Sequence, residues 1–195
     1  NAASSVPAVA PGILFSIYGS DLALTTAHAP ALPLPSELAG TSVTVNGAPI
    51  PLLYVSPQQI NAQLPFHLPV GPAQVVVHTP AGATAPQSVP VTPAAPGVFT
   101  AVPGATVVLY ATGLGPVAPP VPAGFPASAS PVSLCILEVT VRIGGKDAAV
   151  SYAGLAPGWA GLYQVNAQLP ADLPPAAHPV VILVNGVSSN AVTLR

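Results

Sequence analysis

The chain has 195 residues and almost no charge, since Lys and Arg total 3 and Asp and Glu total 5. That is 4% of the chain, against about 25% in an average soluble domain. Three basic residues cannot neutralise a phosphate backbone, so we expect no nucleic-acid partner. The 28 prolines recur every few residues and exclude long helices. The composition therefore predicts an all-β chain.

The mean hydropathy of +0.66 is not concentrated in a membrane-spanning segment. No run of 18 or more apolar residues occurs, and the longest, PVVILV at Pro179–Val184, has the length of one buried strand. The opening sequence NAASSVPAVAPG lacks the basic and apolar regions of a signal peptide, and we interpret it as mature or excised sequence. Cys135 is the only cysteine, so no intrachain disulfide can form.

Short apolar stretches separated by turn residues predict the strands of the first half. Alternation in INAQL puts Ile60, Ala62 and Leu64 on one face, and Pro65 ends the strand. The dipeptide Asn46-Gly47 favours a type I′ hairpin. In chain order the predicted elements are PGILFSIYGSDL at 11–22, VTVNGAPIPLLYV at 43–55, INAQL at 60–64, AQVVVHT at 73–79 and SVPV at 88–91.

The second half repeats these elements in the same order. The phrase INAQLPFHLP at 60–69 recurs as VNAQLPADLP at 165–174. The other repeats are PGATVVLYATGL at 103–114, VRIGGKDAAVSYA at 141–153, HPVVILVN at 178–185 and AVTL at 191–194. The chain is therefore predicted to be an internal duplication. We place the domains at 1–97 and 98–195, joined by a stiff proline-rich segment within 90–104.

Each copy holds six or seven short strands in under about 100 residues, which is typical of an immunoglobulin-like β-sandwich. The element order in both halves resembles the IPT/TIG group, of the E-set type, within that fold. The phrases NAAS, YVSPQQINAQLP, AAPGVFT, LYATGLGPV and GLYQVNAQLP together resemble paired C-terminal domains of unknown function on exported proteins of soil bacteria. This resemblance implies export and a role in attachment or assembly. One departure is the short connection at 101–103, which puts the interdomain geometry in question.

No pattern of residues predicts an active site, and we expect a protein that is not an enzyme. The five carboxylates are not close in sequence and do not occupy equivalent repeat positions. A hydrolytic set of Ser20, Asp21 and His28 is disfavoured because Ser20 lies outside any G-x-S-x-G elbow. The four histidines form no H-x₃₋₅-H pair, and no calcium loop occurs, so we predict no metal and no cofactor.

Two sets of residues are candidates for partner or ligand contact. An amide stripe opposite the core face could bond a neighbouring strand, a partner chain or a sugar, or could simply occupy a solvated sheet face. Its members are Asn61, Gln63, Asn166 and Gln168. Residues 154–164 lengthen the loop that is SPQQ at 56–59, and they carry Trp159 and Tyr163. If these aromatic rings are exposed, they would form a platform for binding a sugar or a protein partner. If Trp159 is buried, it would fill the end of the second sandwich or the interdomain joint.

The shortage of charge also bears on association, because sheets usually guard their edges with Lys, Glu or Pro. Unguarded edges, or the segment NAASSVPAVAP added to a neighbour's sheet, would allow homotypic self-association. We therefore expect an exported structural module at the cell surface or outside the cell, such as a filament subunit. The alternatives are a glycan- or protein-binding adhesion module at Trp159, or a passive C-terminal export or attachment domain of a larger protein.

Overall fold

The computed structural model describes all 195 residues, and every regular element in it is a β-strand. The strands form four sheets whose pairings are antiparallel. Two of these sheets belong to each half of the chain. The predicted fold of two tandem immunoglobulin-like sandwiches is confirmed. No helix capable of crossing a membrane is present.

The first sandwich packs a four-stranded sheet against a six-stranded one. The first sheet has the order β1 (Leu14–Tyr18), β7 (Gln59–Gln63), β6 (Leu52–Val55) and β2 (Ala27–His28). The second has the order β10 (Gln87–Val91), β8 (Gly71–Thr79), β4 (Thr41–Val45) and β3 (Glu37–Leu38), with β5 (Ala48–Pro49) on β4 and β9 (Gly82–Ala83) on β8.

The second sandwich repeats this plan, but its first sheet has six strands and not four, with one additional strand at each end. Its first sheet has the order β11 (Gly97–Val102), β12 (Thr106–Thr112), β18 (Tyr163–Gln168), β17 (Val150–Leu155), β14 (Leu134–Cys135) and β13 (Val117–Ala118). Its second sheet joins β16 (Lys146–Ala148), β15 (Val139–Ile143), β19 (His178–Val184) and β20 (Val187–Ser188), and β21 (Val192–Leu194) also pairs with β19.

Strand register is the same in the two halves. Tyr18 lies opposite Gln59 in the first sandwich, and Tyr110 lies opposite Gln164 in the second. A shift of one residue in the pairing of two strands would turn every core side chain outward. Because the register is the same in both halves, equivalent residues of the repeat lie on the same face of their sheets. β1 therefore corresponds to β12, and β7 corresponds to β18.

Each half buries its own apolar cluster between its two sheets. The first cluster draws its members from residues 9–95 and the second from residues 94–194. Alternate residues of the repeated phrase point into these clusters, because Ile60, Ala62, Val165 and Ala167 are fully buried. The boundary at 97/98 stays a prediction, and so does the IPT/TIG assignment.

The two halves meet in a packed joint at which both contribute hydrogen bonds. Leu14 N donates to Thr112 Oγ1 at 2.8 Å, and Ala95 N donates to Gly113 O at 2.9 Å. Gly113 has a φ of +75°, and a Cβ there would lie 2.1 Å from Ala95 O, so only glycine fits. This contact requires the two backbones to approach closely.

Candidate functional site

The asparagines of the repeated phrase bond along their own sheets. Asn61 Oδ1 accepts hydrogen bonds from Gln59 Nε2 at 2.7 Å and Ser16 Oγ at 2.8 Å. Asn166 Oδ1 accepts one from Gln164 Nε2 at 2.9 Å. Both side chains are half-buried. Their amide oxygens stabilise the first sheet of each sandwich, which is a structural role.

The glutamines of the repeated phrase differ between the halves. Gln63 is fully buried, and its Oε1 accepts a hydrogen bond from Gly124 N at 2.7 Å. Its Nε2 has no partner. Gln168 is exposed and bonds no residue through its side chain. Gln63 thus fastens the second half's loop to the first sandwich, and it is too deeply buried to contact a ligand.

Tyr163 does not form an exposed aromatic platform with Trp159. It is fully buried because it starts β18 on the inward-facing side, as Val165 and Ala167 continue. Its hydroxyl donates to Gly115 O. Burial, with a smaller Coulombic contribution from Cys135, raises the pKa of this phenol well above its ordinary value. The expectation that Tyr163 contacts a ligand is therefore corrected: this ring belongs to the second core.

Trp159 is 61% exposed and does not plug the sandwich end or the joint. Its main chain is fixed, since Trp159 O accepts from Ala127 N at 3.0 Å and Trp159 N donates to Ala156 O at 3.1 Å. Phe125, two residues before Ala127, is 48% exposed. An exposed indole on a hydrogen-bonded loop is a surface that a sugar ring or an apolar side chain could contact.

The most distinctive surface is the outer edge of β1. Ile13 O accepts from Leu64 N, and Gly19 N donates to Gln58 O, so odd-numbered residues here turn their backbone groups toward β7. The even-numbered residues face outward. Leu14 N and O are satisfied by Thr112 Oγ1 and Ala2 N.

Beyond Leu14, no strand covers this edge. The outward-facing backbone groups of Ser16 and Tyr18 have no strand beside them, because β1 ends the sheet order. Tyr18 is 66% exposed, and the strand LFSIY carries no charge. Charged residues and prolines, which usually protect an edge strand, are absent here.

The same edge is covered in the second sandwich. There β11 pairs with Val108–Thr112 of β12, and Val98 of β11 is buried. Asn190 fixes β11 further, because its Oδ1 accepts from Val98 N at 2.9 Å and its Nδ2 donates to Val98 O at 3.0 Å. The corresponding stretch of the first sandwich, residues 16–20, has no equivalent strand.

A groove of about 500 Å³ lies beneath the open edge of β1, between the two sheets of the first sandwich. Its walls include Phe15 and Val75 from the two sheets, and Val6, Pro7 and Val9 from the segment before β1. No charged side chain lines it. We call the edge of β1 at 16–20 and this groove the acceptor groove. An uncharged, apolar groove beside free backbone groups suits an extended peptide strand.

The residues weighed for hydrolysis are not assembled. Ser20 and Asp21 follow β1, whereas His28 lies on β2 at the opposite edge of that sheet and packs against Tyr54, with ring centroids 4.8 Å apart and ring planes tilted by 55°. Three strand spacings separate β1 from β2, or about 14 Å. Nowhere do three His, Cys, Asp or Glu side chains cluster as metal ligands would.

The acceptor groove could not be read from the repeated phrase alone. Its signal was the presence of a strand-forming segment before the first strand of each half, SVPAVAPG at 5–12 and GVFTAVPG at 97–104. Sequence does not say which sheet each segment joins. Ser16 and Tyr18 were therefore missed as functional candidates.

No family model matches this sequence, and no curated protein matches it. Three solved structures align with almost the whole chain at low similarity. SGBP-B of the Bacteroides ovatus mixed-linkage glucan utilization locus, in complex with a mixed-linkage heptasaccharide, is 16% identical with a TM-score of 0.39 over 99% of this chain. The chain spans 45% of that protein's length.

The other two alignments are weaker. The tandem Ig repeats of Dlar are 14% identical with a TM-score of 0.25, over 96% of this chain and 91% of that one. Domains 4–9 of the surface layer protein SbsC are 12% identical with a TM-score of 0.26, over 96% of this chain and 29% of that one. At these TM-scores, none of the three carries a functional inference.

Proposed function

We propose that this chain is a non-enzymatic extracellular structural module that self-associates through its β edges, as a subunit of a surface filament or layer. The observation that carries the proposal is the open edge of β1, which is uncharged and lacks the strand that covers its duplicate. Backbone groups on such an edge pair with any strand of matching shape. A copy of the same chain is the partner present at the highest local concentration in an array.

The charge distribution supports the same proposal. The first half of the chain contains no Lys and no Arg, and Arg142 and Lys146 both lie in the β15–β16 hairpin of the second half. Each of them is paired, Arg142 with Asp147 at 2.8 Å and Lys146 with Asp172. Copies that approach through the first sandwich therefore meet little electrostatic repulsion.

Sedimentation velocity of the purified chain over a wide concentration range tests this proposal, with negative-stain microscopy of the same samples. We expect assemblies that grow with concentration and persist in high salt, because no charge pairing is required. A single monomer species at every concentration would refute self-association.

Trp159 supports a second candidate function, a binding module for a glycan or a protein partner. The observation in its favour is the exposed indole on a loop held by backbone hydrogen bonds. Because Trp159 is the only tryptophan, its emission reports this loop alone. A titration with soluble polysaccharides should shift the emission if a glycan binds. Phe99→Ala is the control because it keeps Trp159 as the reporter and removes a ring that is 40% exposed at the far end of the same sheet; its emission shift should equal that of the wild type.

A further inference from the structure

The segment before β1 is the counterpart of β11. SVPAVAPG at 5–12 and GVFTAVPG at 97–104 share a valine at the second position and end in Pro-Gly. The offset in sequence between these two segments equals the offset between Tyr18 and Tyr110, and these two tyrosines occupy the same register position in their sandwiches. The first half therefore contains a β11-like segment, Ser5–Ala10, which we call the donor segment.

The donor segment does not take the path of β11. It forms a parallel bridge between Val9 and Val91 of β10, in the opposite sheet. β11 instead runs antiparallel along β12. The two paths diverge at the Pro-Gly pair, since Gly12 has a φ of +76° and Gly104 lies outside the left-handed region.

Gly12 is fixed in its conformation by the first sandwich. Its N donates to Pro65 O at 3.2 Å, and a Cβ on it would lie 2.1 Å from the ring of Phe66. The next residue, Ile13, is fully buried. These contacts prevent the donor segment from turning back onto its own β1 as β11 turns back onto β12. The donor segment instead lines one side of the acceptor groove, through Ser5, Val6, Pro7 and Val9, and leaves the edge of β1 unpaired.

We propose that the acceptor groove of one copy receives the donor segment of a second copy, antiparallel to β1, in the position that β11 occupies on β12. The inference rests on the proposed self-association and names its surface. The register of β11 places Val6 opposite Gly19, Ala8 opposite Tyr18 and Ala10 opposite Ser16. The free backbone groups of Ser16 and Tyr18 then gain partners.

The donor segment has the side chains that this position needs. Val6 corresponds to Val98, which is 1% exposed in the second core, whereas Val6 is 51% exposed where it now lies. Pro7 corresponds to Phe99, which falls in the β-bulge of β11 between Val98 and Thr100. A bulge residue is left out of the ladder, so the missing N–H of proline costs no hydrogen bond there.

Release of the donor segment from its own sandwich uncovers Val9 and Ala10, which are 4% and 0% exposed in the first core, and breaks backbone bonds to β10 and the residue after it. Val9 N donates to Pro90 O at 3.3 Å, and Val9 O accepts from Thr92 N at 2.8 Å. Exchange replaces these bonds with those to Ser16 and Tyr18 of the neighbour. Each copy then gives its donor segment to one neighbour and receives the donor segment of another in its acceptor groove. Such a head-to-tail contact builds a filament when the rotation between successive copies does not close into a ring.

Val6→Asp tests the exchange by sedimentation velocity of the full chain. In the closed chain Val6 is exposed, so the variant should fold and keep the circular dichroism spectrum of the wild type. In the exchanged form the carboxylate would be buried in an apolar groove, and association should weaken about tenfold or more. Val70→Asp is the matched control, because Val70 is 59% exposed and lines neither the acceptor groove nor the cavity beside the donor segment. Assembly of Val6→Asp equal to wild type overturns the exchange and leaves self-association standing, whereas a wild type that never assembles overturns both.

A disulfide trap gives a second measurement that does not depend on the folding of Val6→Asp. Val6→Cys and Gly19→Cys are combined in a Cys135→Ala background and oxidised under assembling conditions. Head-to-tail exchange predicts a ladder of dimers, trimers and longer chains on a non-reducing gel. Each single variant should give dimers at most. Val6 and Gly19 line the same groove within one chain, so the state of the thiols is measured as well. A double variant that remains monomeric while the wild type assembles, with its cysteines free or joined within one chain, overturns the proposed register and the exchange with it.

Discussion

The side-chain Oε1 of Gln63 accepts a hydrogen bond from Gly124 N across the interdomain joint, at 2.7 Å, within a fully buried environment. Gln168, at the same position of the repeated phrase, is exposed. One duplicated glutamine thus stabilises the contact between sandwiches, and the other is free in solvent. Substitutions at these two glutamines can therefore be compared to measure how much the bond across the joint contributes to stability.

Gln63→Ala should lower the free energy of unfolding by about 1–3 kcal/mol, because it leaves Gly124 N–H buried without an acceptor. Gln168→Ala should change it by less than about 0.5 kcal/mol, as for most surface substitutions. Urea unfolding followed by far-ultraviolet circular dichroism measures both. Equal effects of the two variants would contradict the assignment of Gln63 to the joint.

Thr112→Val should also weaken the joint, because Leu14 N loses the hydroxyl that accepts its hydrogen bond at 2.8 Å. We expect a loss of about 1–3 kcal/mol. Ser20 occupies the matching position of the first sandwich and is exposed, so Ser20→Ala is the control. Differential scanning calorimetry should show the two sandwiches unfolding in less coincident transitions for Thr112→Val. A single unchanged transition would argue against coupling through this bond.

Asn190→Ala should loosen β11 while the rest of the second sandwich stays folded. The variant removes both side-chain bonds to Val98, one to its N–H and one to its carbonyl. Hydrogen exchange should therefore accelerate at 97–102 more than at β12. Asn166→Ala, which removes an amide bond within β18, is the control and should leave exchange in β11 unchanged.

Stability should fall at alkaline pH because two acidic groups are held in their neutral forms, Tyr163 fully buried and Cys135 partly buried. Burial raises the pKa of the Cys135 thiol from 9.0 to about 12, and it raises the pKa of Tyr163 as well. A raised folded pKa stabilises the fold below the unfolded value, and this contribution is lost as pH rises from 9 toward 12.

The contribution of the thiol can be isolated with Cys135→Ala. Each such group lowers the free energy of unfolding by at most about 1.4 kcal/mol per pH unit in this range. Between about pH 8 and about pH 10.5, wild type should therefore lose more stability than Cys135→Ala in urea titrations. Parallel losses in the two proteins would show that the thiol is not buried as described.

Acidification should change the stability of the fold little until the pH falls to the ordinary pKa range of carboxyl groups. Lys146 lowers the pKa of Asp172 by hydrogen bonding and by its charge, so this pair stabilises the fold above the ordinary value of 3.8 and is lost as pH falls below it. Asp172 is fully exposed, and its contribution is correspondingly small. Melting temperatures from circular dichroism should be nearly constant from neutral pH to about pH 4.5. A steep transition above that pH would require a buried carboxylate that the structure does not contain.

Local sequence was sufficient for the central strands of each half and for the two hairpin turns, but the strand β11 lies within the segment at 90–104 that was predicted to be a linker. Asn46 and Gly47 have φ of 50° and 81°, and Gly144 and Gly145 have φ of 59° and 81°, as type I′ turns require. The inward position of Tyr163 could also have been predicted, since it alternates with Val165 and Ala167. The long insertion before Tyr163 favoured the prediction of an exposed ring instead.

Long-range packing decided what the sequence could not show. The repeated phrase does not distinguish Gln63 from Gln168, because Gly124, which bonds only the first, lies far away in the chain. The two Pro-Gly pairs are likewise identical, yet Phe66 fixes Gly12 in a left-handed conformation that Gly104 does not share. Which sheet a segment joins depends on such tertiary contacts, and the acceptor groove follows from that choice.

The placement of Arg142 and Lys146 in one hairpin also determines how the chain meets proteases. Trypsin cleaves after Lys and Arg, and the only other basic residue is Arg195. Residues 1–141 therefore hold no tryptic site, even when they are unfolded. Cleavage within the β15–β16 hairpin would leave the whole first sandwich, together with the strands from β11 to β14, on one uncut fragment. Within this chain, trypsin can therefore cut only on either side of the Gly144-Gly145 turn.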